Sequence, residues 1–173
     1  MVATTELVES LLSQSLGTIV IPATKEDFIT QDRFVVDTGR KAPVKISHLG
    51  KNFQKRFLKK IEGPAVKTKL HYVTLLKPSL DGPIISELGG EEKSETTLAN
   101  IYALMRRQRN GEKNGVLPIN SYAKIFYVRD INDELGVVFL RWLGLGWNVH
   151  ARSVDYPIAW LVGRHVFFRI RNS

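Results

Sequence analysis

Apolar positions along this chain follow two periods, and the change from one to the other marks its elements. Leu7, Val8, Leu11, Leu12 and Leu16 share one helical face, and Gly17 stands at the stop position, so residues 5–16 are predicted as a helix. A second helix is predicted over 48–61: Leu49, Phe53, Phe57 and Ile61 recur every fourth residue, Ser47 precedes them and Gly63–Pro64 follows. The third, 95–108, has the broadest apolar face (Leu98, Ile101, Tyr102, Met105) and Ser94 as its cap. Glu95 in its first turn and Arg106, Arg107 and Arg109 at its end suit the helix dipole. Weaker signals predict one turn over 25–29 after Thr24, a strand over 33–37 and a short helix from the Asp81–Gly82–Pro83 turn to Leu88.

Elsewhere the period is two. Residues 18–21 form a short β-branched run closed by Pro22. Over 66–77, Lys67, Lys69 and His71 alternate with Val66, Leu70 and Tyr72. After Leu117 the pattern is β throughout, with strands predicted over 122–129, 135–142, 147–154 and 164–171. Short connections between four sequential strands predict an antiparallel meander. The fold class is therefore α+β: a mainly antiparallel sheet, dominated by the C-terminal meander, packed against three helices. A chain of 173 residues is expected to form a single domain with a sizeable core, of which residues 1–40 can form an N-terminal appendage.

Charge changes this picture more than composition does. The net charge is +8, but it is unevenly distributed. Residues 41–77 hold ten basic groups and only Glu62, a net +9, and residues 101–173 carry +6. Residues 1–40 (−3) and 78–100 (−4) are acidic. Concentrated positive charge bears on partners rather than on fold. The absence of cysteine excludes disulfides, cysteine-based zinc sites, thiol nucleophiles and iron–sulfur clusters. Glu6 and Glu9 stand where a signal peptide carries positive charge, and no run of 18 apolar residues occurs, so no membrane association and a cytoplasmic location are expected.

Motifs for catalysis are scarce. Gly144–Leu145–Gly146 lacks the third glycine of a dinucleotide loop and lies between two strands, so it reads as a hairpin turn. Asp130–Ile131–Asn132–Asp133–Glu134 opens like a calcium loop but lacks the sixth-position glycine, and Arg141 replaces the closing glutamate. His48, His71, His150 and His165 include no H-x-x-x-H pair. Ser153, His150 and Asp155 have no nucleophile-elbow glycines around them. Glu91, Glu92 and Glu95 read as a solvated helix start. No cofactor is expected.

Two basic features remain. On the helix over 48–61, Lys51, Lys55, Arg56, Lys59 and Lys60 lie away from the apolar stripe, and Lys67 and Lys69 follow. On the last two strands, His150, Arg152, His165, Phe167, Arg169 and Arg171 share one alternation phase each, which sets an aromatic ring among cations. That combination suits single-stranded nucleic acid, with bases stacked on the ring and phosphates on the cations. Non-catalytic binding of single-stranded nucleic acid or another polyanion is the function expected. The alternative is a protein-interaction or structural module whose basic face meets an acidic partner. An enzyme would require a concave pocket holding His150 or His165 beside a carboxylate.

Several segments also carry a likeness to other proteins: Leu88–Gly89–Gly90–Glu91–Glu92, Thr97–Leu98, Ile125–Phe126–Tyr127–Val128–Arg129–Asp130, Gly146–Trp147, and the ending Trp160, Gly163, Val166–Phe167 and Arg169. From about Leu49 to Ser173 the chain resembles a group of uncharacterised hypothetical proteins from candidate-phylum bacteria. The resemblance implies a bacterial source and no particular activity. Phe168 stands where that group is expected to carry a small polar residue, which leaves open the face of the last strand that points inward.

Overall fold

The computed structural model describes residues 9–169; residues 5–8 of the first predicted helix, and Arg171, lie outside them. Residues 9–16 are not helical: Leu12 bridges Leu75, and the Leu11 and Leu12 amides donate to the Glu87 carboxylate. The elements then run β1 (Gly17–Ile21), β2 (Phe28–Ile29), α1 (Thr30–Arg33), β3 (Ile46–Leu49), α2 (Lys51–Phe57), β4 (Ile61–Glu62) and β5 (Thr68–Thr74). They continue with α3 (Asp81–Glu87), α4 (Glu91–Ser94), β6 (Glu95–Thr96), α5 (Leu98–Arg107), β7 (Lys124–Arg129), β8 (Leu135–Trp142), β9 (Trp147–Ser153) and β10 (His165–Arg169).

The fold is α+β with a mixed, mostly antiparallel sheet in the order β1-β5-β10-β7-β8-β9-β3, and β6 also pairs with β7. β7, β8 and β9 form an antiparallel meander of three strands. The fourth strand departs from expectation. β10 leaves its sequence neighbour β9, crosses to the far side of β7 and pairs parallel with it and antiparallel with β5. Since β9 and β10 run in the same direction, residues 154–164 must cross one face of the sheet to join them.

Both faces are covered. One core cluster gathers Phe53, Phe57, Leu98, Ile101, Leu104 and Met105 from α2 and α5 over Phe126, Val138, Val149 and Phe167. Ile19, Ile21 and Phe34 belong to this core, so residues within 1–40 are built into it. The other cluster places Ile84 and Ile85 of α3 and Trp160 of the crossover against Ile125, Tyr127, Val137 and Val166.

Two helices are shorter than the periodicity predicts because sheet pairing takes their first residues. Ile46–Leu49 pairs parallel with β9, so α2 begins only at Lys51, and Ser47 bonds the Asn148 side chain instead of capping. Glu95–Thr96 pairs with Tyr127–Val128, so α5 begins at Leu98 with Thr97, not Ser94, as its cap. The turn expected over 25–29 and the strand over 33–37 also change: Phe28–Ile29 pairs with Ile61–Glu62, and one helical turn follows it. Gly146 permits the β8–β9 hairpin to meet β3, since a Cβ there would lie 2.9 Å from the Lys45 carbonyl oxygen.

Candidate anion-binding cleft

The alternation of β9 places Asn148, His150 and Arg152 on the sheet face opposite Val149 and Ala151. Register with β8 sets Phe139 beside His150 and Arg141 beside Asn148 on that same face. The 154–164 crossover passes above these residues. A cleft of about 430 Å³ opens between them, walled by Phe139, Arg141, His150 and Arg152 on the sheet and by Tyr156, Ile158, Trp160, Leu161 and Arg164 on the crossover. Asn52, near the start of α2, completes its rim.

The floor is rigidly wired. Asp81, fully buried at the start of α3, accepts from Tyr127 Oη at 2.8 Å and Trp160 Nε1 at 2.7 Å through one oxygen. Its other oxygen accepts from Arg152 Nε at 3.1 Å and Nη2 at 2.7 Å. The Arg152 guanidinium lies 3.7 Å from the centre of the Trp160 ring. Arg152 is therefore neutralised and positional, and Asp81 ties α3, the sheet and the crossover together. Burial, and then the neighbouring Asp81 carboxylate, raise the pKa of the Tyr127 hydroxyl well above its ordinary value.

The remaining cations of the cleft have no such partner. Arg141 leans on Phe139, 5.4 Å from the ring centre, and its Nε is buried without a hydrogen bond. Arg164 lies 4.2 Å from the centre of the Tyr122 ring and donates to the Val162 carbonyl. Neither arginine forms an ion pair among the described residues. Burial, and then Arg164, lower the Arg141 pKa, so the two guanidiniums repel each other across the cleft. His150 stacks on Phe139 at 5.4 Å and approaches His48 at 5.3 Å. Burial, then His48 and Arg141, hold its imidazole below the usual range. The lining contains no carboxylate.

The sequence-predicted residues fall into separate places. Lys51 and Lys55 are exposed on α2, with Lys59 exposed just beyond it, and Lys67 and Lys69 are exposed around the start of β5. Arg56 is held by Asp130 at 2.8 Å, and Lys60 by Glu62 at 3.4 Å and the Arg129 carbonyl. The shared basic face of the last two strands does not form. His150 and Arg152 point to the cleft side, whereas His165, Phe167 and Arg169 lie on the opposite side, because the Phe167 phase of β10 joins the same core as Val149 and Ala151. Phe167 is fully buried, 4.7 Å from Phe126 and 5.6 Å from Tyr72 between ring centres, and is no surface platform for bases. Burial, then Lys124, lower the His165 pKa on that side.

Arg141, Arg164, Tyr156 and Asn52 enter the site without having been singled out by sequence. The one legible signal is Arg141 itself, an arginine between Leu140 and Trp142 in an otherwise apolar strand. The carboxylate expected beside His150 is not among the cleft's lining residues, and the buried Asp81 is already saturated by donors. Among the described residues no group of three histidine, aspartate or glutamate side chains comes close enough to hold a metal, and no helix is long and apolar enough to cross a membrane. No protein-family model matches the chain, and no curated protein or solved structure matches it either.

Proposed function

We propose that this chain is a non-catalytic binder of single-stranded nucleic acid that engages its ligand through the cleft beneath the 154–164 crossover. The observation that carries this reading is the pair Arg141 and Arg164: two half-buried guanidiniums without acidic partners, in a lining free of carboxylates and beside exposed apolar and aromatic groups. Phosphate relieves their mutual repulsion, and a base finds Tyr156 and Ile158 at the rim. α2 begins at this rim, where Asn52 lines the cleft, and Lys51 and Lys55 lie one helical turn apart on its exposed side. Four residues of helix advance about 6 Å, so the two lysines supply successive backbone contacts. Arg152 and Phe167 are assigned to the fold rather than to the ligand.

Fluorescence anisotropy with a labelled oligonucleotide of about 12 nucleotides tests the reading. Binding is expected at about 50 mM salt and should weaken steeply towards about 200 mM. Arg141→Gln and Arg164→Gln should each weaken it, and Lys51→Ala with Lys55→Ala should flatten the salt dependence by about two phosphate contacts. No binding at about 50 mM salt overturns the proposal. Salt-sensitive self-association in sedimentation, without oligonucleotide binding, would assign the basic surface to a protein partner instead.

A further inference from the structure

Resting on that reading, the dimensions and charge of the cleft narrow the ligand to one chemical unit. Arg152 and Trp160, on opposite walls of the cleft, are both fastened to Asp81, which fixes the spacing of the sheet and the crossover there. The cleft volume of about 430 Å³ falls in the range that holds one small molecule. An internal phosphodiester carries one negative charge, whereas a terminal phosphomonoester carries about −1.5 to −2 at neutral pH and three acceptor oxygens. Arg141 and Arg164 supply two positive charges and planar donor sets, and neither is paired with a carboxylate among the described residues. Tyr156, Ile158 and Leu161 are 43%, 59% and 57% exposed along the rim, an apolar border where a nucleoside can lie.

We infer that the cleft is a phosphomonoester site that seats one terminal nucleotide, its phosphate between Arg141 and Arg164 and its nucleoside along Tyr156, Ile158 and Leu161. The unit has two sources, the phosphorylated end of a strand and a free nucleoside monophosphate. In the strand case the lysines of α2 take the phosphates that follow, so the protein holds strand ends rather than strand interiors.

The test compares, on the full chain, otherwise identical oligonucleotides bearing a 5′-hydroxyl, a 5′-phosphate or a 3′-phosphate, together with adenosine and uridine monophosphate as free ligands. A terminal phosphate at one end is expected to tighten binding about tenfold or more, and this gain should vanish in Arg141→Gln and in Arg164→Gln. Unfolding midpoints of both variants report their folding, and the comparison of oligonucleotides on the unsubstituted protein does not depend on them. Equal binding of phosphorylated and unphosphorylated strands overturns this inference and leaves the nucleic-acid reading standing. Arginine-dependent binding of the free monophosphates, with no strand bound, supports the phosphomonoester site and overturns the nucleic-acid reading. A phosphate-dependent gain that survives both arginine substitutions overturns the placement.

Discussion

Asp81 shows how much one buried carboxylate can organise when every lone pair is used. It is 0% exposed, yet four donors from three side chains meet it: Tyr127, Trp160 and two nitrogens of Arg152. Asp81→Asn keeps the volume but puts an amide where Arg152 needs an acceptor and leaves that cation unpaired in a buried setting. Loss of one partner of a buried pair costs about 3–5 kcal/mol, so a urea unfolding midpoint well below that of the unsubstituted protein is expected. The sequence places Asp81 in a turn that opens a short helix, which is correct, but gives no hint of its partners. Tyr127, Arg152 and Trp160 lie 46, 71 and 79 residues away, and no local pattern joins them. Lys124 is a second case. It sits in a strand as a nearly buried residue, donates to the Asn120 and Tyr122 carbonyls and the Asn120 side chain, and has its pKa lowered to about 8 by burial and then Arg141.

Among the elements, α5 carries the clearest account of how local and distant signals combine. Thr97 Oγ1 accepts from the Asn100 amide at 3.0 Å, and the Asn100 side chain accepts from the Thr97 amide at 3.1 Å. The two amides between them, Leu98 and Ala99, donate at 2.9 Å to the Glu62 carboxylate of β4. The first turn is thus satisfied partly from within and partly by a remote strand, and the carboxylate complements the helix dipole. Thr97→Ala should cost about 1 kcal/mol. Glu62→Ala, which orphans two amides and releases Lys60, should cost about 1–3 kcal/mol. Both are read from denaturant midpoints, and circular dichroism should show the helix largely retained. The apolar face Leu98, Ile101, Tyr102 and Met105 was legible from its spacing, and all four residues are buried. The start of the helix was not, because pairing of Glu95–Thr96 with β7 outweighs helix propensity in those residues. The same competition moves the start of α2, where β3 takes His48 and Leu49.

For the whole molecule, titration gives a coherent expectation. His150, His165 and His71 all have pKa values lowered in the fold, in each case by burial first and then by neighbouring basic side chains: His48 and Arg141, Lys124, and Lys69 respectively. Their unfolded pKa is about 6.5, so between that value and their folded values the unfolded chain binds more protons. The histidine contribution to stability should therefore be fully present above pH of about 6.5 and decline as the pH falls below it. Asp130 adds to the same trend at lower pH. Burial alone would raise it, but Arg56 and the Glu134 and Asn132 amides outweigh burial and lower it, so its contribution is lost as the pH falls through its folded value. Thermal unfolding followed from pH 8 to pH 4 should give a falling midpoint, and replacing His150 by Asn should remove part of the first decline.

The sequence by itself determined the α+β class, the alternation of the last two strands, the core face of α5 and the concentration of positive charge. Each of these is a property of near neighbours: side-chain alternation, helical spacing and residue type act over a few positions. It could not determine that β10 leaves β9 and inserts between β5 and β7, because that choice depends on pairing across distant segments. One topological step then decided the fate of the predicted site. It put His150 and Arg152 on the face opposite His165, Phe167 and Arg169, and it buried the aromatic ring. It also carried the crossover over β8 and β9, which brought Arg164 to Arg141. Alternation assigns residues to the two sides of a strand, but only tertiary pairing decides which side of the sheet each one joins.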